Sequence, residues 1–230
     1  MFEFRKSPPP QRAGARDTLF GDIPLARLLA MIRPEALAVE PWKTFHRARV
    51  LSEEGDATAA IQNLHRVLET PRLESRLILQ TWHALRALGE KPQGDAEKQL
   101  LGVVVEVGLP RGLDLVAAYA DHSARYFNFS GAGVVWERPN AVLDAPVDEV
   151  LEAGATVVRQ IGLWEKNRPS APGTGEARIN LLTASGLHFG EGPYDVLEKD
   201  RMAGPVLNAA LNLMQRLVEI GRPQGAHAAR

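Results

Sequence analysis

With 230 residues, 45% of them hydrophobic and 24% charged, the chain has the composition of one or two globular domains rather than of a disordered polymer. A net charge of -1 gives no basis for nucleic-acid binding, and a cysteine count of zero excludes disulfides, thiolate metal sites, iron–sulfur clusters and cysteine nucleophiles. No apolar run approaches the ~20 residues of a membrane-spanning helix and the first residues lack an apolar signal core, so a cytoplasmic protein with no membrane partner is expected.

Residues 1–20 read as a disordered tail. They hold Ser7-Pro8-Pro9-Pro10 and scattered arginines, and three consecutive prolines favour an extended polyproline conformation that buries little. From Asp22 the pattern turns helical. Pro24 suits a first turn, Leu25, Leu28, Leu29 and Ile32 recur at helical spacing, and Pro34 stops the run. Within residues 42–71, Phe45, Ala48 and Leu51 form one apolar stripe. Gly55-Asp56 breaks it, and Ala60, Ile61, Leu64, Val67 and Leu68 form a second that ends at Pro71.

The placement of Ala48, Gly55, Ala60, Leu64, Val67 and Leu68 resembles a tetratricopeptide repeat, two antiparallel helices crossing at small residues. Trp42 lies slightly early for that pattern, Leu64 stands where an aromatic is usual, and Pro71 arrives about one residue short. A third helix over Leu73–Leu88, with Trp82 and Leu85, extends the pair before Gly89 and Pro92. Such repeats need about three copies to stand alone, so residues 21–93 read as a helical module leaning on something else. The resemblance implies protein binding, with Trp42, Arg47, Arg66 and Trp82 as candidate partner anchors.

Lys91-Pro92-Gln93-Gly94-Asp95 marks the boundary to a second domain over residues 95–222, expected to fold by itself. Short runs at Leu100–Val107, Leu113–Ala120, Ser123–Phe129 and Ala132–Trp136, separated by turn residues, read as an antiparallel meander. Asp121-His122 sits where a hairpin turn belongs. Pro146 begins a helix with Asp148 and Glu149 in its first turn, burying Val147, Val150, Leu151, Val157, Val158 and Ile161. Residues 165–177 read as an exposed loop. Arg178–Leu182 and Leu187–Phe189 read as strands, and Gly190-Glu191-Gly192-Pro193 as a turn. Pro205–Ile220 is a helix closed by Gly221 and Pro223, with a frayed tail at 223–230. The fold class is α+β: a helical module packed on a two-layer domain of meander sheet and helices. Over residues 99–221 the element order resembles roadblock and longin domains, a likeness of order alone that carries no function.

Catalytic signatures are absent. There is no GxxxxGK[ST], HExxH or GxSxG, and in Ala171-Pro172-Gly173-Thr174-Gly175 no lysine follows the glycines. His46, His65 and His83 lie about one helix apart, but none is paired at i, i+4, so they read as helix-surface residues and no metal or cofactor is expected. Two polar groups remain as a candidate cleft: Asp121, His122 and Arg125 beside Ser123, Tyr126 and Asn128, and His188 with Glu191. Asp121, His122 and Ser123 are adjacent, whereas a catalytic relay converges from separate elements. The preferred reading is a non-catalytic adaptor or regulatory protein that binds another protein, with a homodimer left open. The alternative is an enzyme whose site joins the 121–128 hairpin to the 186–195 loop.

Overall fold

The computed structural model describes residues 13–222. The proline-rich stretch Ser7–Pro10 and the tail after Arg222 lie outside them. Six antiparallel strands form one sheet in the order β4-β3-β2-β1-β5-β6: β1 Leu100–Leu109, β2 Gly112–Tyr119, β3 Ala124–Phe127, β4 Gly133–Trp136, β5 Glu176–Thr183 and β6 Gly186–Pro193. The architecture is α+β. The valine-rich β1 lies at the centre because it is buried on both faces, pairing with β2 and β5 so that Val105 faces Val116 on one side and Ile179 on the other.

Each face meets a different set of helices. On the first face, Val103, Val105, Ala118 and Leu181 pack against α6 (Asp144–Val158) and α8 (Ala203–Gly221) through Val147, Val150, Leu207 and Leu213. Helix α6 comes close where it carries Gly154. A methyl group there would sit 2.8 Å from a Val103 methyl, so the spacing requires glycine.

The second face carries Leu101, Val104, Leu113, Leu115, Tyr119 and Leu182, covered by Leu79 of α5 (Ser75–Ala87) and by Leu19 and Phe20. Residues 13–20 therefore depart from the expected disordered tail. They form a short helix, α1 (Ala13–Asp17), and a buried pair, because Leu19 and Phe20 fill the sheet face that α5 leaves open. The Tyr119 hydroxyl donates to the Leu19 carbonyl at 2.7 Å and the buried Gln80 amide to Ile23 at 2.6 Å, fixing the segment.

The helical module has a third core. Helix α2 (Leu25–Ala30), α3 (Trp42–Glu53), α4 (Ala57–Leu68) and α5 bring together Leu29, Phe45, Ala48, Leu64, Val67 and Leu85. Between α3 and α4, Gly55 adopts φ +86, and the Asp56 carboxylate caps α4 by accepting from Ala59 N–H at 2.9 Å. Ala60 is fully buried among these helices. Ala60→Trp should lose about 1–3 kcal/mol or more by forcing bulk into the module core, read as a lowered unfolding midpoint in urea.

Module and sheet are stitched at several points. The Asp121 carboxylate accepts from the Ser75 N–H at 2.8 Å and so caps α5 from the β2–β3 turn, while Asp121 N–H donates back to the Ser75 hydroxyl at 3.0 Å. In that turn His122, not Asp121, takes the left-handed conformation, at φ +61, because the Asp121 carboxylate is held by Ser75 and Ser123. At the far edge, β6 runs through Gly190–Pro193, where a turn was expected. Glu191 is held in strand register opposite Arg178 by an ion pair.

Candidate functional site

Chemistry-bearing residues gather on the second sheet face, near β5 and β6. Glu106 interrupts the apolar run of β1 and is fully buried. Its carboxylate accepts from Arg16 through two guanidinium nitrogens, from Arg178 at 3.4 Å and from the Asn180 amide at 3.1 Å. Arg178, only 2% exposed, also donates to Glu191 at 2.6 Å and to the Ser170 carbonyl at 2.6 Å. Arg16 reaches the Pro169 carbonyl at 3.0 Å. A buried charge persists only when paired and hydrogen-bonded, and each charge here has such partners. The network binds three distant pieces of chain: the 13–22 segment, β1 with β5 and β6, and the loop 165–172.

Above it, Arg168 closes the loop onto the N-terminal segment. It donates to Asp22 at 2.7 Å and to Asp17 at 3.2 Å, and its guanidinium lies 4.1 Å from the centre of the Phe20 ring. These carboxylates raise the Arg168 pKa although burial opposes them. At the other end of the loop the Trp164 backbone N–H donates to the Leu187 carbonyl at 2.8 Å, its indole N–H donates to the Asn167 carbonyl at 3.0 Å, and the ring packs edge-on against Phe189.

The result is a cleft of 570 Å³, within the usual range for small-ligand and peptide pockets. Helix α5 forms one wall with Leu79, His83 and Arg86. Residues 163–168 form the other, and the β5–β6 turn forms the floor. Arg86 donates to the Ala184 carbonyl, and burial pulls its pKa below the ordinary arginine value against the weaker pull of Asp22. Burial, then the charge on Arg86, also lowers the His83 pKa, which keeps the imidazole neutral near pH 7. Ser185, His83 and Asp22 all line this space, but no hydrogen bond joins His83 to either of the others. Asp22 is held by Arg168. The set is not a nucleophilic relay, which needs those bonds.

The two polar groups read from sequence do not meet. Asp121, His122 and Arg125 lie at β3 and its turn, and His188 and Glu191 on β6. Four strand spacings, about 19 Å, separate β3 from β6. Asp121 caps α5, His122 reaches Asp148 of α6 at 3.0 Å, and Arg125 pairs with Glu137 at 2.7 Å. Tyr126 donates to Asp114, and burial with that carboxylate pushes its pKa up to about 12, so it keeps its proton. His188 is opposite Leu181 and Glu191 opposite Arg178, which puts the two on opposite faces of the sheet. His188 is buried. Its pKa is lowered by that burial, which outweighs the nearby carbonyls of Gly162 and Ile161.

Of the anchors read on the module, Trp42 packs on Phe45 with ring centres 5.8 Å apart. Trp82 is half-buried between the module core and the sheet core, edge-on to His65. Arg47 and Arg66 are exposed on α3 and α4. Among the described residues no group of three His, Cys, Asp or Glu side chains could hold a metal ion. No helix among them is long and apolar enough to cross a membrane. Glu106, Arg16, Arg168, Asn180 and Arg86 were not singled out by sequence reasoning. The visible signal was one carboxylate inside the run Val103-Val104-Val105-Glu106-Val107.

No protein-family model, curated protein sequence or solved structure matches this chain.

Proposed function

We propose that this protein acts without catalysis, by seating an apolar-faced helical segment of another protein on its helical module. The observation that supports this is a groove of 440 Å³ between α2, α3 and α5, floored by small or apolar side chains: Leu25, Ala26, Ala48, Ala84, Ala87 and Leu88. Alanines let a partner backbone approach closely, and helix-in-groove recognition uses such a surface. Charge at the rim is provided by Arg49 and Glu53, paired at 2.7 Å, while exposed Arg47 and Arg66 offer further contacts on α3 and α4. The acid and base groups of the 121–128 hairpin are tied to structural partners, which favours binding over chemistry at that end.

A photo-crosslinking residue placed at the exposed Ala87 tests the reading in the native cell. The expected result is a discrete protein adduct that Ala26→Trp abolishes without moving the melting midpoint, since Ala26 is also exposed. An adduct that survives Ala26→Trp, or that forms equally from the distant exposed position Lys199, would sink the proposal.

A further inference from the structure

We infer that the cleft between α5 and the 163–168 loop is a binding site for an organic carboxylate carried on an apolar or aromatic stem. This site shares His83 of α5 with the groove between α2, α3 and α5 but is otherwise lined by different residues, and it is argued from different observations.

Charge in the cleft is unbalanced. Arg168 and Asp22 offset each other, which leaves Arg86, Lys91 and Lys166 against Glu165. Arg86 is the decisive group. It is half-buried, donates to one backbone carbonyl, and has no ion-pair partner among the described residues. The other half-buried or buried arginines of this region, Arg16, Arg168 and Arg178, each hold a carboxylate. A guanidinium partly withdrawn from water, with only the weaker pull of Asp22 and no ion-pair partner, gains most from an incoming anion, because the desolvation cost is already met. Its depressed pKa is the same cost seen from the proton side.

The remaining walls specify the stem. Leu163, Trp164 and Leu187 offer apolar surface beside the cations, and Lys166 holds its ammonium 5.6 Å from the centre of the Trp164 ring. A bare inorganic anion would leave that surface unused. Such a carboxylate could belong to a free small acid or to the C-terminus of a peptide.

Isothermal titration of the full chain distinguishes these sources, with the Trp164 indole N–H signal as a local reporter assigned by Trp164→Phe. The probes are 3-phenylpropionate, acetyl-Ala-Phe with a free carboxylate, the same peptide as its amide, and inorganic phosphate. At least one of the two acids should bind saturably and shift that signal. The amide and phosphate should bind about tenfold more weakly or not at all, and Arg86→Gln should weaken the acid by about tenfold or more. Tighter binding of the peptide acid would assign the site to a protein C-terminus, and tighter binding of 3-phenylpropionate to a free acid. Lys166→Glu, at an exposed rim position, reads the same loss if Arg86→Gln disturbs folding. Saturable binding by neither acid, equal binding of the amide or phosphate, or affinity unchanged in Lys166→Glu and in a folded Arg86→Gln would overturn the inference.

Discussion

Glu106→Ala should destabilise the protein by about 3–5 kcal/mol, read from urea unfolding with an unchanged denaturant slope. The size follows from what remains behind. Arg178, 2% exposed, would keep only Glu191 as a counter-charge, Arg16 would lose both of its carboxylate bonds, and the buried Asn180 amide would lose one acceptor. Removing one partner of a buried pair leaves the other uncompensated, whereas removing both can be nearly neutral. Accordingly Glu106→Leu combined with Arg16→Met and Arg178→Met, which leaves only the partly exposed Glu191 of the network's charges, should recover most of the loss, and a triple variant as unstable as Glu106→Ala would contradict this account. The triple variant should still loosen the cleft. Arg16 and Arg178 hold the Pro169 and Ser170 carbonyls, so the network fixes the loop that carries Trp164, Lys166 and Arg168.

The sheet was legible because its strands carry their own pattern. Leu100–Val107 is a near-continuous apolar run, as a central strand buried on both faces must be, and the turns at 110–111 and 120–123 separate runs of strand length. The helices of the module and α8 were legible from apolar spacing and their glycine and proline ends. What escaped depends on contacts far apart in sequence. Arg16 and Glu106 are 90 residues apart, and Arg168 and Asp22 are 146 apart. No local rule makes Leu19 and Phe20 core residues. Their burial depends on a sheet face that α5 covers only in part. The same holds for β6, whose Gly190–Pro193 end has turn composition and remains a strand because Arg178 holds Glu191 across the ladder. Asp121, His122 and Arg125 drew notice for their density, yet their roles are a distant helix cap, a hydrogen bond to Asp148 and an ion pair with Glu137.

Residues 95–222 expressed without the module should fail to unfold cooperatively and should bind a hydrophobic dye, although the boundary at Gly94 suggested a self-sufficient domain. The reason is the second sheet face. Leu101, Val104, Leu113, Leu115, Tyr119 and Leu182 are each 5% exposed or less in the whole chain, and the residues covering them are Leu19, Phe20, Ile78, Leu79, Trp82 and their neighbours. Fully burying one such side chain contributes about 1.5–3 kcal/mol, so baring this face costs on the order of 10 kcal/mol, as much as the whole net stability of a typical domain. Polar groups lose partners as well: the Tyr119 hydroxyl its Leu19 carbonyl, the Ala184 carbonyl its Arg86, and Glu106 its Arg16. The first face, with α6 and α8 in place, should preserve secondary structure, so far-ultraviolet circular dichroism would remain while the sharp transition disappears. Adding residues 13–93 as a separate chain should restore a cooperative transition, because the missing surface is then returned. A fragment that melts sharply at the midpoint of the intact protein, without dye binding, would show that the shared core is dispensable and that the cleft lies between two independent domains.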